Sequence, residues 1–170
     1  METFAEWQNP GPKCGTDSVA TGWSAYALPG KQVTETSCFN ENKNPVNIWR
    51  GQRSQEMTFD YVDATAGVWR TFETVPGHRY RVEVRAKHVT SQSPVEVSLG
   101  LELGGGQDPQ AATVQWSPWA DNREDVWTQT ATEFRATGSH TTLFLQAHHP
   151  FATAGGATML DDVRIYDLGP

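Results

Sequence analysis

The chain has 170 residues and a net charge of −7, with no basic stripe to neutralise phosphates, which argues against a nucleic-acid partner. No run of about 18 apolar residues is present to span a membrane, and no secretory signal pattern opens the chain. Seven Trp, seven Phe and four Tyr against only 19% charged residues suit one domain with a real core over residues 1–170, and 15 Gly and 10 Pro are scattered as many turns require.

Met1-Glu2-Thr3-Phe4 starts abruptly, as an excised domain with an added Met would, so a larger parent is expected. Gly11-Pro12, Pro29-Gly30 and Asn44-Pro45 break the first 50 residues into one or two predicted strands with long connections. From there strand alternation recurs and helical periodicity is nearly absent. Val68 and Phe72 alternate with Trp69 and Thr71, and Pro76-Gly77 turns into the next strand. Tyr80, Val82, Val84 and Ala86 alternate with Arg79, Arg81, Glu83 and Arg85. Val95 to Leu103 alternates apolar with Glu96, Ser98, Gly100 and Glu102, then a Gly-rich loop runs through Asp108-Pro109. Trp116-Ser117-Pro118 reads as a strand end, because proline cannot continue a central strand, and a loop to Asp125 follows. Trp127 opens a strand, and Leu143, Leu145 and Ala147 alternate with Thr142, Phe144, Gln146 and His148. Ala154-Gly155-Gly156 turns into the closing strand. One apolar and one largely polar face per strand predict an all-β fold, a β-sandwich of two antiparallel sheets.

In the closing strand, strict alternation puts Met159, Asp161, Val163 and Ile165 on one face, the core side. An inward carboxylate is costly unless something neutralises it. Two devices would do so: a hard cation such as calcium, or backbone amides at a frayed strand edge. Cys14 and Cys38 are the only cysteines. If the chain is exported, a disulfide would close a loop of about 25 residues and add roughly 3–4 kcal/mol; in a cytosolic protein they would be free thiols. Neither has the CxxC or CxxH spacing of a metal site.

Several segments together resemble the galactose-binding-like β-jelly rolls of bacterial carbohydrate-binding modules. They are Phe4-Ala5-Glu6, Thr21-Gly22-Trp23, Gly51-Gln52-Arg53-Ser54-Gln55, Ala66-Gly67-Val68-Trp69 with Pro76-Gly77-His78-Arg79-Tyr80, Trp127 to Phe134 with Thr142-Leu143-Phe144-Leu145, and Asp161-Asp162-Val163. Ala5 is inserted in the opening motif and Arg70 stands where Gln is common. The resemblance implies a jelly roll that binds poly- or oligosaccharide, in a secreted or cell-surface parent. It also implies a structural calcium tying the N-terminal segment to the last strand, with Asp161 and then Glu6 as side-chain ligands.

Sugars stack their apolar C–H faces on exposed aromatic rings, so ligand contacts are sought among the Trp residues outside the core. Trp69 faces out if Val68 and Phe72 face in, although this leaves Arg70 on the core side unless a bulge or strand end near Gly67 relieves it. Trp116 and Trp119 flank the Pro118 loop and are the other ring candidates. Arg81, Glu83, Arg85 and Gln146, on the polar faces of two segments, would line a shallow groove with an exposed Phe144 and read hydroxyls. Trp23 and Trp127 are expected to pack, and Trp7 to plug one end. His148 and His149 point to opposite faces and so disfavour a metal pair. No nucleophile elbow, zinc-protease motif or singled-out carboxylate pair appears, so a small lyase or hydrolase ranks below a binding domain, and a protein-interaction domain that lost its sugar ranks between them.

Overall fold

The computed structural model describes residues 4–8, 16–28, 38–59, 63–89, 95–119, 121, 123–150 and 154–170, with backbone alone at 4–8, 16, 17 and 38. Cys14 lies outside them and the Cys38 side chain is not described, so the disulfide expectation falls outside the described residues.

The protein is an all-β sandwich of jelly-roll type. The strands are β1 (Phe4–Gln8), β2 (Thr16–Ala20), β3 (Ser24–Leu28), β4 (Cys38–Asn42), β5 (Ser54–Thr58), β6 (Ala64–Glu73), β7 (Arg79–Val89), β8 (Glu96–Glu102), β9 (Gln115–Pro118), β10 (Thr128–Arg135), β11 (His140–His149) and β12 (Ala157–Gly169). A first five-stranded sheet has the order β10-β7-β12-β5-β4, a second has β3-β6-β11-β8-β9, and β1 and β2 form a separate ribbon. All pairings are antiparallel. The first 50 residues therefore carry more strands than their pattern suggested: β1 to β4 are each five residues long, too short for alternation to declare itself.

Alternation decides the core. Val82, Val84 and Ala86 of β7 face Val68, Leu143, Leu145, Ala147, Leu99 and Leu101 of the second sheet, and all of these are buried. Burying each such side chain stabilises by roughly 1.5–3 kcal/mol. A polar clamp joins the β1–β2 ribbon to this core. The Gln55 side chain is fully buried, its Oε1 accepting from the Ala20 amide at 2.8 Å and its Nε2 donating to the Ser18 and Asn40 carbonyls at 3.1 and 3.2 Å.

The closing strand corrects the expected alternation. β12 carries one extra residue against β7: Asp161 pairs with Arg85, but Arg164 pairs with Glu83. The bulge is made at Asp162, which sits at φ +49°, a left-handed conformation that Asp tolerates better than most residues. One inserted residue reverses the period-2 parity. Leu160 pairs with inward Ala86 and Ile165 with inward Val82, whereas Asp161 shares the outer face with Met159. Asp161 is nonetheless 0% exposed, because residues 49 and 50 lie across that face. Its Oδ2 accepts from the Trp49 and Arg50 amides at 2.9 and 3.0 Å and its Oδ1 from the Asp162 amide at 2.7 Å. The buried Lys87 anchors the same segment, donating from Nζ to the Val46 carbonyl at 3.1 Å.

Candidate functional site: the aromatic face of the second sheet

The outer face of the second sheet gathers four aromatic side chains, Tyr26, Trp69, Phe144 and Trp116. Register sets the arrangement. Ser24, Trp69, Phe144, Gly100 and Trp116 pair successively from β3 to β9 and so form one row across the five strands. The next row runs Tyr26, Gly67, Gln146, Ser98 and Pro118. Trp69 and Trp116 lie three strands apart, about 14 Å at ordinary strand spacing, and both are half-buried. Between them Phe144 is a buried floor and not the exposed ring expected. Tyr26 meets it edge-on with ring centroids 6.2 Å apart, and Trp116 meets it tilted at 6.0 Å.

Two glycines permit this layer. A Cβ on Gly100 would stand 2.8 Å from the Trp116 ring, and one on Gly67 would stand 2.5 Å from the Tyr26 ring. Glycine inside a strand marks such a close approach, and this signal was present in the sequence beside Trp69 and in the alternation of β8.

The polar groups of the face are fixed. The Tyr26 hydroxyl donates to Gln146 Oε1 at 3.1 Å, and burial pushes the phenol pKa up, which keeps it a donor. Thr71 and Thr142 hydroxyls meet at 2.8 Å. His148 sits between two carboxylates, with Nε2 2.9 Å from Asp63 and Nδ1 3.4 Å from Glu96. Tyr26 is thus a member of the face that the sequence reading did not assign to it, whereas His148 stands beside Gln146 as its alternation predicted. The other histidine of the pair points inward, stacked on Phe59 with centroids 4.0 Å apart.

Other expected members stand elsewhere. Trp119 is 6% exposed and belongs to the core, its indole N–H donating to the Thr128 hydroxyl at 2.9 Å. Pro118 ends β9, and beyond it the chain turns Trp119 inward between the sheets. Arg81, Glu83 and Arg85 lie on the outer face of the first sheet, across the sandwich from Gln146, so they form no common groove with it. There they are engaged with one another and their neighbours. Arg81 Nε donates to Glu83 at 2.7 Å, Arg79 donates to Glu133 at 2.7 Å, and the Arg85 guanidinium lies 3.9 Å over the Trp49 ring. Trp127, expected to pack as a core ring, is half-buried outside the core cluster and tilted against the exposed Trp49 at 6.4 Å. The Glu102 carboxylate accepts from the Gly104 amide at 3.0 Å, and Asp108 accepts from the Gln110 amide at 2.9 Å, so both acids shape the Gly-rich loop.

At the expected metal position the Asp161 carboxylate is met by backbone amides, as described above. The Glu6 side chain is outside the described ones, although its backbone pairs with Ser18. Among the described residues no group of three or more His, Cys, Asp or Glu side chains is placed to hold an ion.

No protein-family model matches this chain, and no curated protein matches it. Solved structures do. One is TmCBM61 in complex with β-1,4-galactotriose, at TM-score 0.61 and 13% identity over 86% of this chain and 89% of that one. This is a carbohydrate-binding-module-like β-sandwich. Another is the CBM22-1 xylan-binding domain of Paenibacillus barcinonensis Xyn10C, at TM-score 0.56 and 17% identity over 88% and 87%. A third is the enzymatically active domain of tailspike protein 4 from bacteriophage CBA120, at TM-score 0.63 and 12% identity over 87% of this chain but only 20% of that one. At these identities the likeness carries the module-like fold and leaves function to the site.

Proposed function

We propose that this domain is a non-catalytic carbohydrate-binding module that holds a poly- or oligosaccharide on the outer face of its second sheet. The observation that carries the reading is the row of Trp69, Phe144 and Trp116 across neighbouring strands, with Tyr26 beside it. Half-buried rings on a rigid sheet can stack sugar faces with little loss of side-chain freedom. The Gln146 amide nitrogen, which has no partner among the described residues, is available to donate to a hydroxyl. The xylan-binding and galactotriose-bound structures of the same fold support a glycan ligand. Affinity is expected to be micromolar to millimolar, about −4 to −8 kcal/mol.

The role in this reading is targeting: the domain tethers a secreted or cell-surface parent to its polysaccharide. Matches to parts of longer chains, the tailspike and an arabinofuranosidase, support fusion to other domains. A structural calcium at Glu6 and Asp161 is a separate proposal, supported by the complete burial of the Asp161 carboxylate. A melting temperature that falls in chelator and returns with calcium supports the ion; an unchanged one assigns the carboxylate to its amides alone.

The binding experiment is affinity electrophoresis and calorimetry against neutral polysaccharides, with wild type beside Trp69→Ala and Trp116→Ala. Retardation of the wild type that both variants lose supports the reading. Retardation unaffected by either variant removes the site.

A further inference from the structure

A second opening lies away from the aromatic face. A cleft of about 630 Å³ opens where β6 and β12 part, closed at one end by the turn between β2 and β3. Its walls include Thr21, Trp23, Arg50, Arg70, Phe72 and Ile165. That volume falls in the range of small-ligand sites.

Arg70 is the unusual member. It lies on the core-facing register of β6, between buried Val68 and half-buried Phe72, and pairs with buried Leu143. The β6–β11 ladder runs without a register shift from residue 64 to 73, so neither a bulge nor a strand end turns Arg70 outward. The cleft accommodates it instead: Arg70 is exposed, because the space between the sheets is open there. The β2–β3 turn packs against it, with the Gly22 Cβ position 3.7 Å from the guanidinium carbon. Among the described residues no carboxylate, carbonyl or ring engages that guanidinium. The acidic groups of the cleft are already committed. Asp162 takes a two-pronged contact from Arg164 at 3.0 and 2.8 Å with Arg50 at 3.9 Å, and Asp161 takes three amide hydrogens. A cation placed on an inward register beside Trp23 and Phe72, with its local acids neutralised elsewhere, is the pattern of an anion site with an apolar wall.

We propose that this cleft is a second ligand site, for a carboxylate carried on a sugar ring: a hexuronate residue. The Arg70 guanidinium would receive the carboxylate, Arg50 at the rim would add a second positive charge, and Trp23 and Phe72 would cover the C–H face of the ring. The site is independent of the aromatic face, which offers no free cation among the described residues and suits neutral sugar.

The test is an NMR titration of the whole domain with galacturonic and glucuronic acid, each beside galactose and glucose. The Trp23 indole N–H and Arg70 Nε–H report on the cleft; the Trp69 and Trp116 indoles report on the sheet. The uronates should shift the cleft signals, the neutral sugars should not, and added salt should weaken the effect. Arg70→Gln should lower uronate affinity about tenfold or more and leave neutral-oligosaccharide binding on the sheet unchanged. Cleft signals that ignore the uronates, that respond equally to neutral sugars, or that keep full affinity in Arg70→Gln overturn the proposal. Should Arg70→Gln not fold, the wild-type comparison of acid against neutral sugar decides alone. Failure of these arms with intact binding at Trp69 and Trp116 removes the cleft and spares the sheet-face reading; the reverse result does the opposite.

Discussion

Tyr26 lies directly over Gly67: a Cβ at that glycine would stand 2.5 Å from the Tyr26 ring and hydroxyl and 2.6 Å from the Leu145 carbonyl oxygen. The second contact is with backbone, so no side-chain rotation relieves it. Gly67→Ala should therefore cost about 1–3 kcal/mol of stability, displace Tyr26 and break its hydrogen bond to Gln146. Urea unfolding reads the first effect. A loss of neutral-glycan affinity in the folded fraction reads the second.

Trp69 and Trp116 should matter for binding more than for folding, because each is only half-buried. Alanine at either should weaken glycan binding tenfold or more, at least about 1.4 kcal/mol, with the fold retained by circular dichroism.

Trp119 should behave in the opposite way. Alanine there removes a core ring and the partner of the Thr128 hydroxyl, at a cost of about 3–5 kcal/mol. The effect should be on the melting temperature, with unchanged glycan affinity at temperatures where the variant is folded.

Of these contrasts, some were legible before the fold was known. Strict alternation in β7, β8 and β11 identified their core faces, and Trp69 was read outward correctly from Val68 and Phe72. Three local events defeated the pattern. The bulge at Asp162 adds one residue and moves Val163 and Ile165 to the face opposite Asp161. Pro118 ends β9, so Trp119 follows the core and not the loop. The third is topological: β7 and β11 belong to different sheets, so two similar polar faces, Arg81 to Arg85 and Phe144 to His148, point away from each other. Strand spacing in sequence carries no information about that. The glycines Gly67 and Gly100 were readable signs of close approach, and they locate the aromatic layer.

Acid should weaken the fold through His149. Burial, then the charges of His88 and His148, push its pKa down to about 3, and its Nε2 meets the Thr158 hydroxyl at 2.9 Å. In the unfolded chain it titrates near 6.5. Between those values the unfolded chain binds a proton that the folded one does not. Stability is therefore complete above about pH 6.5, declines as pH falls toward 3, and has no further contribution from this group below that. The full span is on the order of 5 kcal/mol. Thermal unfolding at pH 7 and pH 4.5 should show a smaller acid loss in His149→Gln than in wild type; equal losses would assign the acid sensitivity to other groups.

Asp161→Ala should leave the amides of Trp49, Arg50 and Asp162 without their carboxylate. Hydrogen bonds to a buried charge make this a loss of about 3 kcal/mol or more. Hydrogen exchange should locate it, with protection lost first at residues 49 and 50.

The central claim is that the second sheet's aromatic face holds glycan. The most direct measurement is the affinity of the Trp69→Ala, Trp116→Ala double variant for a neutral polysaccharide that the wild type binds. The expected result is binding lost, with a melting temperature showing a folded domain. Full binding by the folded double variant, or a wild type that binds no glycan in a broad screen, would contradict it.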